Sequence, residues 1–289
     1  MVKKVFIDPI LKKYVVPTEL RDNSLSDGKM FTPGTRIKLE NNVEFIRLFS
    51  AWATDDELEG DIDLDLGAAF IGEDDNVTPI AYYNQTESMA VHSGDFTNCR
   101  AYKQTEGLIT SEFIDIDIEK SIKAGYKYVL TGVFIFNGAE NFNNFISYSG
   151  VQLLDEMRTE KQQHININNS LFKVELKGDY TSYMPLAIDL ITKEIVIIDK
   201  YQKGGNAINI GLMTKELEKY KRLYFNSLDY KENMSSFLNL YCKANGYTVV
   251  EDYKDADIIC SYNDYKDLRK EQLMYNISTN LESILNLLN

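Results

Sequence analysis

Over residues 43–136, apolar residues recur in short bursts, each closed by Gly, Asn, Asp or Pro. The runs V-E-F-I-R-L-F-S-A-W, I-D-L-D-L-G-A-A-F-I, P-I-A-Y-Y-N, S-M-A-V-H-S, E-F-I-D-I-D-I and Y-V-L-T-G-V-F-I-F are rich in β-branched and aromatic residues. Such runs read as strands, and several at close spacing predict a sandwich or barrel. E-D-D-N at 73–76 reads as a hairpin turn. A short helix is expected over 118–125, stopped by Gly125. The β pattern resumes over 171–200 in L-F-K-V-E-L-K, M-P-L-A-I-D-L and K-E-I-V-I-I-D-K, with Thr192 and Lys193 as a tight turn. These strands are expected to complete the sandwich.

The character of the chain then changes. K-G-G-N-A at 203–207 reads as a boundary. Helices are expected over 213–223, over 230–244 and over 268–288. In the second, Met234, Phe237, Leu238 and Tyr241 recur at helical spacing and Gly246 follows. In the third, Ile277, Leu281, Ile284, Leu285 and Leu288 share one side. Y-T-V-V-E and A-D-I-I-C-S-Y read as strands between them. The predicted fold class is mainly β: a β-sandwich followed by a small α/β C-terminal extension. The corresponding divisions are a lead-in over 1–30, the sandwich over 31–202 and the extension over 208–289.

The 289 residues are 44% hydrophobic, enough for one large core or two small ones. A net charge of −13 argues against a phosphate backbone as partner, because that affinity needs clustered Lys and Arg. It suits divalent cations and high solubility. No apolar run reaches the length of a membrane span, and Asp8 and Pro9 interrupt the N-terminal apolar stretch, so a soluble, cytoplasmic protein is expected. Cys99, Cys242 and Cys260 lie far apart, a spacing that suits reduced thiols rather than a zinc site or redox pair. K-G-G-N lacks the rest of a phosphate loop, and no nucleotide-binding signal is present.

Carboxylates gather at the ends of the apolar runs. Asp63 and Asp65 are two apart and share a face on a strand, as do Asp115 and Asp117. Asp95 follows Gly94, where the backbone can turn sharply. Hard oxygens at strand and loop ends are what Ca²⁺ takes, about six to eight of them at roughly 2.3–2.6 Å.

These runs resemble the TerD-like proteins, a family named for bacterial tellurite resistance. That family carries an Asp-x-Asp strand followed by small residues, a Tyr-Asn turn, a His-Ser-Gly-Asp turn, and an acidic loop entering a Glu-x-Ile-x-x-Asp-Leu strand. The matches here are D-L-D-L-G-A from Asp63, Y-Y-N from Tyr82, H-S-G-D from His92 and E-F-I-D-I-D-I from Glu112. V-P-T-E-L-R at 16–21 and P-G-T-R-I-K-L at 33–39 resemble the lead-in of one branch. The resemblance covers residues 16–150. It implies a calcium-binding β-sandwich and a role in bacterial stress resistance, with no known reaction. One departure stands out: the family's metal loop reads G-D-D-E where this chain has I-T-S-E at 109–112, so hydroxyls replace two carboxylates at Thr110 and Ser111. Each lost charge weakens a calcium site.

Asp95 and Glu112 are therefore the first candidate ligands, then Asp63 and Asp65, with Asn84 offering an amide oxygen. Each has a plain alternative: a self-capping turn residue for Asp95, a plain turn residue for Asn84, an outward polar face for Asp63 and Asp65. For Glu112, burial without a partner would be costly, and a cation removes that cost. Asp115 and Asp117 read as solvated or structural. His92 reads as a brace for its loop through a ring nitrogen, since two histidines and no Cys-x-x-Cys make zinc a poor fit. The expected function is a non-enzymatic calcium-binding protein of stress resistance. The alternative is a metal-free scaffold for a protein partner of unknown identity in a stress or defence complex. A hydrolase using Cys99 and His92 ranks below both, because no orienting third group accompanies them.

Overall fold

The computed structural model describes residues 2–16, 33–54, 61–73, 76–81, 83–84, 86–99, 108–157, 164–202, 233–263 and 265–276. The chain divides into two compact units. One spans Ile37–Phe225; the other combines Met1–Arg36 with Asn226–Asn289.

The larger unit is a β-sandwich. Its first sheet has the order β12-β10-β3-β8-β7-β6, with β11 also pairing β8. Here β3 is Phe45–Ala53, β6 Thr86–Glu87, β7 Ala90–His92, β8 Leu108–Asp117, β10 Ile146–Leu154, β11 His164–Asn166 and β12 Phe172–Glu175. The second sheet has the order β2-β14-β13-β9-β4-β5, formed by β2 Arg36–Lys38, β4 Asp63–Gly72, β5 Val77–Ile80, β9 Tyr126–Asn137, β13 Ser182–Asp189 and β14 Glu194–Gln202. The strand pairings described in these two sheets are antiparallel. The expected strands over 171–200 are present, and the β13–β14 hairpin turns through Lys193 at φ 50°. Helix α1, Ile118–Lys123, starts where the Asp117 carboxylate accepts from the Lys120 N–H, and Gly125 follows it at φ 92°. Asp117 is thus a helix cap. At 73–76 only the ends are among the described residues; the Gly72 N–H donates to the Asn76 carbonyl at 2.9 Å as the chain enters β5.

Strand β3 runs between β8 and β10 over nearly its whole length. β10 approaches β12 so closely at Gly150 that a Cβ there would collide with the Phe172 carbonyl oxygen and sit 2.8 Å from Phe49 Cζ. Only glycine fits that crossing.

The smaller unit holds a four-stranded parallel sheet of order β15-β1-β16-β17: β1 Lys4–Ile7, β15 Thr248–Val250, β16 Ile258–Ser261 and β17 Leu273–Asn276. This revises the predicted divisions. Residues 1–30, read as a lead-in, contribute the strand between β15 and β16, and the sandwich is inserted between β1 and the rest of the α/β unit. The reason lies in V-F-I of β1: Val5 and Ile7 pack with Leu238, Cys242 and Ile258 on one face, and Phe6 packs with Ile259 and Ala256 on the other. Helix α2, Met234–Ala244, is capped by Asn233, whose side chain accepts from the Ser236 N–H. A helix over 268–288 is not observed where the chain is described, since Leu273–Asn276 is a strand. The helix expected at 213–223, the boundary at 203–207, the segment 17–21 and the remainder from 277 lie outside the described residues. No helix among the described residues is long and apolar enough to cross a membrane.

Candidate metal centre

Strand β4 pairs β9 along its length, while among the described residues β5 covers Ala68–Ile71 of its other edge. The N–H and C=O of Leu66 point to the stretch of this edge ahead of β5, and a buried backbone group left without a partner is costly. Two side chains from the opposite sheet satisfy them. Glu112 on β8 accepts the Leu66 N–H at Oε2, 2.8 Å away, and His92 on β7 donates from Nε2 to the Leu66 carbonyl at 3.1 Å. The same residues fix the turn that follows β7. His92 Nδ1 accepts from the Gly94 N–H at 3.1 Å, and Glu112 Oε1 accepts from the Phe96 N–H at 3.2 Å. Ser93 extends the ladder, donating its N–H to the Phe113 carbonyl and accepting the Phe113 N–H at its hydroxyl. Gly94, at φ 113°, makes the reversal that a side chain would strain.

This frame brings Asp95 to the start of β4. One oxygen from each of Asp63, Asp65 and Asp95 lies within 4.8 Å of the others. Asp63 and Asp65 are buried, Asp95 is exposed, and Asp63 Oδ1 is buried without a hydrogen-bond partner. Burial, then the neighbouring Asp95 charge, pushes Asp63 up to about 6. Asp65 is pushed up to about 7 by burial and then by Asp63 and Asp95. Burial also holds Glu112 well above the carboxylate range and lowers His92 to about 4. His92 is therefore the neutral Nε2–H tautomer, which its two hydrogen bonds require.

The site residues thus separate by role. Asp63, Asp65 and Asp95 converge. Glu112 spans from β8 to the edge of β4, both its oxygens accepting backbone N–H groups. Asn84 closes the Ala81–Asn84 bridge, and its amide donates to the Pro79 carbonyl at 2.7 Å. Thr110 and Ser111 are not on a loop: both are buried within β8, opposite Trp52 and Ala51. Cys99 is buried, and both His92 ring nitrogens are taken by backbone groups. Sequence reading missed Arg47, whose Nε and Nη2 donate to the two Asp115 oxygens at 2.6 and 2.8 Å in a buried pair. The signal was a lone cation inside an apolar strand.

Glu112→Gln is expected to cost about 1–3 kcal/mol, because its amide nitrogen would face a buried backbone N–H in place of an acceptor. Urea denaturation measures this; unchanged stability would remove Glu112 from the bracing role.

Two oxygens that each lie about 2.3–2.6 Å from one calcium ion are separated by at most roughly 5 Å. The three carboxylates meet that limit, and the orphaned Asp63 Oδ1 is the kind of buried oxygen a cation satisfies. The residues fit Ca²⁺.

No model of a known family matches the chain, and no curated protein does. Among solved structures, the chain is similar to a homologue of the telluride resistance protein TerD from Streptomyces coelicolor, with 13% identity and a TM-score of 0.40, covering 61% of this chain and 98% of that one.

Proposed function

We propose that this chain is a non-enzymatic calcium-binding protein of the TerD-like kind, acting in bacterial stress resistance. The observation that carries the reading is the convergence of Asp63, Asp65 and Asp95 around a buried oxygen without a partner. Asp63, Asp65 and Asp95 would hold the ion, with Glu112 and His92 keeping the turn in place. The bound cation would neutralise carboxylates that repel one another without it. The motif order from Asp63 to Glu112 supports the family reading. The partner is a protein that recognises the ordered rim, and the setting is the cytoplasm.

Because Ca²⁺ binds the folded form, a free concentration of a hundred times Kd is expected to add about 2.7 kcal/mol. Thermal unfolding of the sandwich in calcium should exceed that in chelator by several degrees. Coincident transitions, with no heat on calorimetric titration, would favour the metal-free scaffold instead. The feature that favours that second reading is the pair of hydroxyls at Thr110 and Ser111 where the family carries carboxylates.

The pH dependence has a definite sign. Asp63 and Asp65 have folded pKa values of about 6 and about 7, above their unfolded values. In chelator, the stability they contribute is fully present below about pH 4 and is lost as pH rises through 6 to 7. His92 acts in the opposite direction: its lowered value stabilises above about 6.5, and that contribution is lost as pH falls toward 4. The Asp65→Asn variant should therefore flatten the fall in melting temperature between pH 6 and 8. Calcium affinity in the parent should rise over the same interval as protons leave. Affinity that is flat across it would argue against these ligands.

A further inference from the structure

We propose that the β15 edge of the parallel sheet docks an extended acidic segment of a partner protein, which lies along α2 and pairs its carboxylates with Lys12 and Lys243. β15 is the outer strand of the order β15-β1-β16-β17, and its Thr248 and Val249 are exposed, Val249 by 43%. The Thr248 N–H donates to the Lys3 carbonyl, and β15 pairs β1 without a shift in register. By the alternation of a strand, the N–H and C=O of Val249 therefore point away from the sheet. Guarded edges carry Pro, a bulge or an inward charge, and T-V-V has none of these. Three residues are too few to hold a partner by backbone bonds alone, so side chains must add to the contact.

The surface beside the edge supplies those side chains. Tyr247 and Val249 join Leu240 of α2, itself 62% exposed, in an open depression that lies within the α/β unit. Its charge runs against that of the whole chain. The sequence carries 44 acidic and 31 basic residues, yet the described lining includes Lys12 and Lys243 and no carboxylate. Lys3 adds a third cation, its Nζ 5.9 Å from the centre of the Tyr247 ring. Exposed apolar surface rimmed by charge of one sign marks a protein contact and selects a partner of the opposite sign. Strand addition reads alternate side chains of its peptide, so the segment that fits alternates apolar and acidic residues. A second copy is the poorer occupant. It would bring the same lysines across a two-fold axis, and each chain carries a net charge of −13.

The test is a ¹⁵N–¹H NMR titration of the full chain in chelator with two capped octapeptides, one alternating Val and Asp, the other alternating Val and Lys. The acidic peptide alone is expected to give saturable shifts at the amides of Leu240, Lys243 and Val249. The Lys12→Glu/Lys243→Glu variant should bind it roughly tenfold more weakly or worse. Val249→Pro removes the outward N–H at a place where an edge strand tolerates proline, and should weaken binding as well. Lys123→Ala on the sandwich should leave it unchanged. Dispersion of the spectra shows that each variant is folded. No saturable shift with the acidic peptide would overturn the proposal, as would equal binding of the basic one or indifference to the two lysines. Shifts of the same amides on raising the protein concentration without peptide would also overturn it, by making a second copy the occupant.

Discussion

Asp115→Ala is expected to destabilise the sandwich by about 3–5 kcal/mol, a large part of the roughly 5–15 kcal/mol that holds a domain folded. Asp115 and Arg47 face each other in register on β8 and β3, and their side chains are 0% and 2% exposed. The guanidinium makes two parallel hydrogen bonds to the carboxylate and lies 3.7 Å from the centre of the Phe113 ring. Removing the carboxylate strands a cation where water cannot reach it, and Arg, unlike Lys, cannot lose its proton to escape. Replacing both partners is a different experiment. An Arg47→Met/Asp115→Leu variant is expected to lie near the parent or above it, because it removes the desolvation of both charges along with their attraction. Equilibrium unfolding in urea of the parent, the two single variants and the double separates these terms. A loss below about 1 kcal/mol for Asp115→Ala, the range of a solvent-exposed ion pair, would contradict this account.

The strands of the sandwich were legible because their signal is local. Apolar runs bounded by turn residues mark β3, β4, β8 and β9 without knowledge of their neighbours. The convergence of Asp63, Asp65 and Asp95 was legible through motif order, since spacing alone does not bring residue 95 to residue 63. The role of Glu112 was half visible. Its burial among isoleucines signalled a need for partners, but those partners are the N–H groups of Leu66 and Phe96, which only the pairing of the sheets reveals. The Arg47–Asp115 pair depends on the register between β3 and β8, and no local pattern encodes register. The helix expected over 268–288 rests on the spacing of Ile277 to Leu288, which says nothing about Leu273–Asn276 ahead of it; there the parallel pairing with β16 makes a strand.

The α/β unit was the hardest to read, and it yields the second large effect. Deleting residues 1–8 is expected to unfold that unit while the sandwich persists. β1 lies between β15 and β16, with Lys4–Phe6 paired to Thr248–Val250 and Val5–Ile7 paired to Ile258–Cys260. Without it both ladders lose their partner. Val5, Phe6 and Ile7 also leave the two cores, at roughly 1.5–3 kcal/mol for each buried side chain, so the loss rivals the stability of a small domain. The contacts span nearly the whole sequence: the Lys4 N–H donates to Asp257 and the Asp8 N–H to the Cys260 carbonyl. A C-terminal piece read alone cannot display that dependence. Hydrogen exchange provides the measurement. In the deletion variant the amides of α2 and β16 should exchange at near-unprotected rates, while those of β3, β8 and β9 keep their protection. Retained protection at Leu238 and Ile259 would mean that the unit folds without its N-terminal strand, and the division of the chain would have to be redrawn.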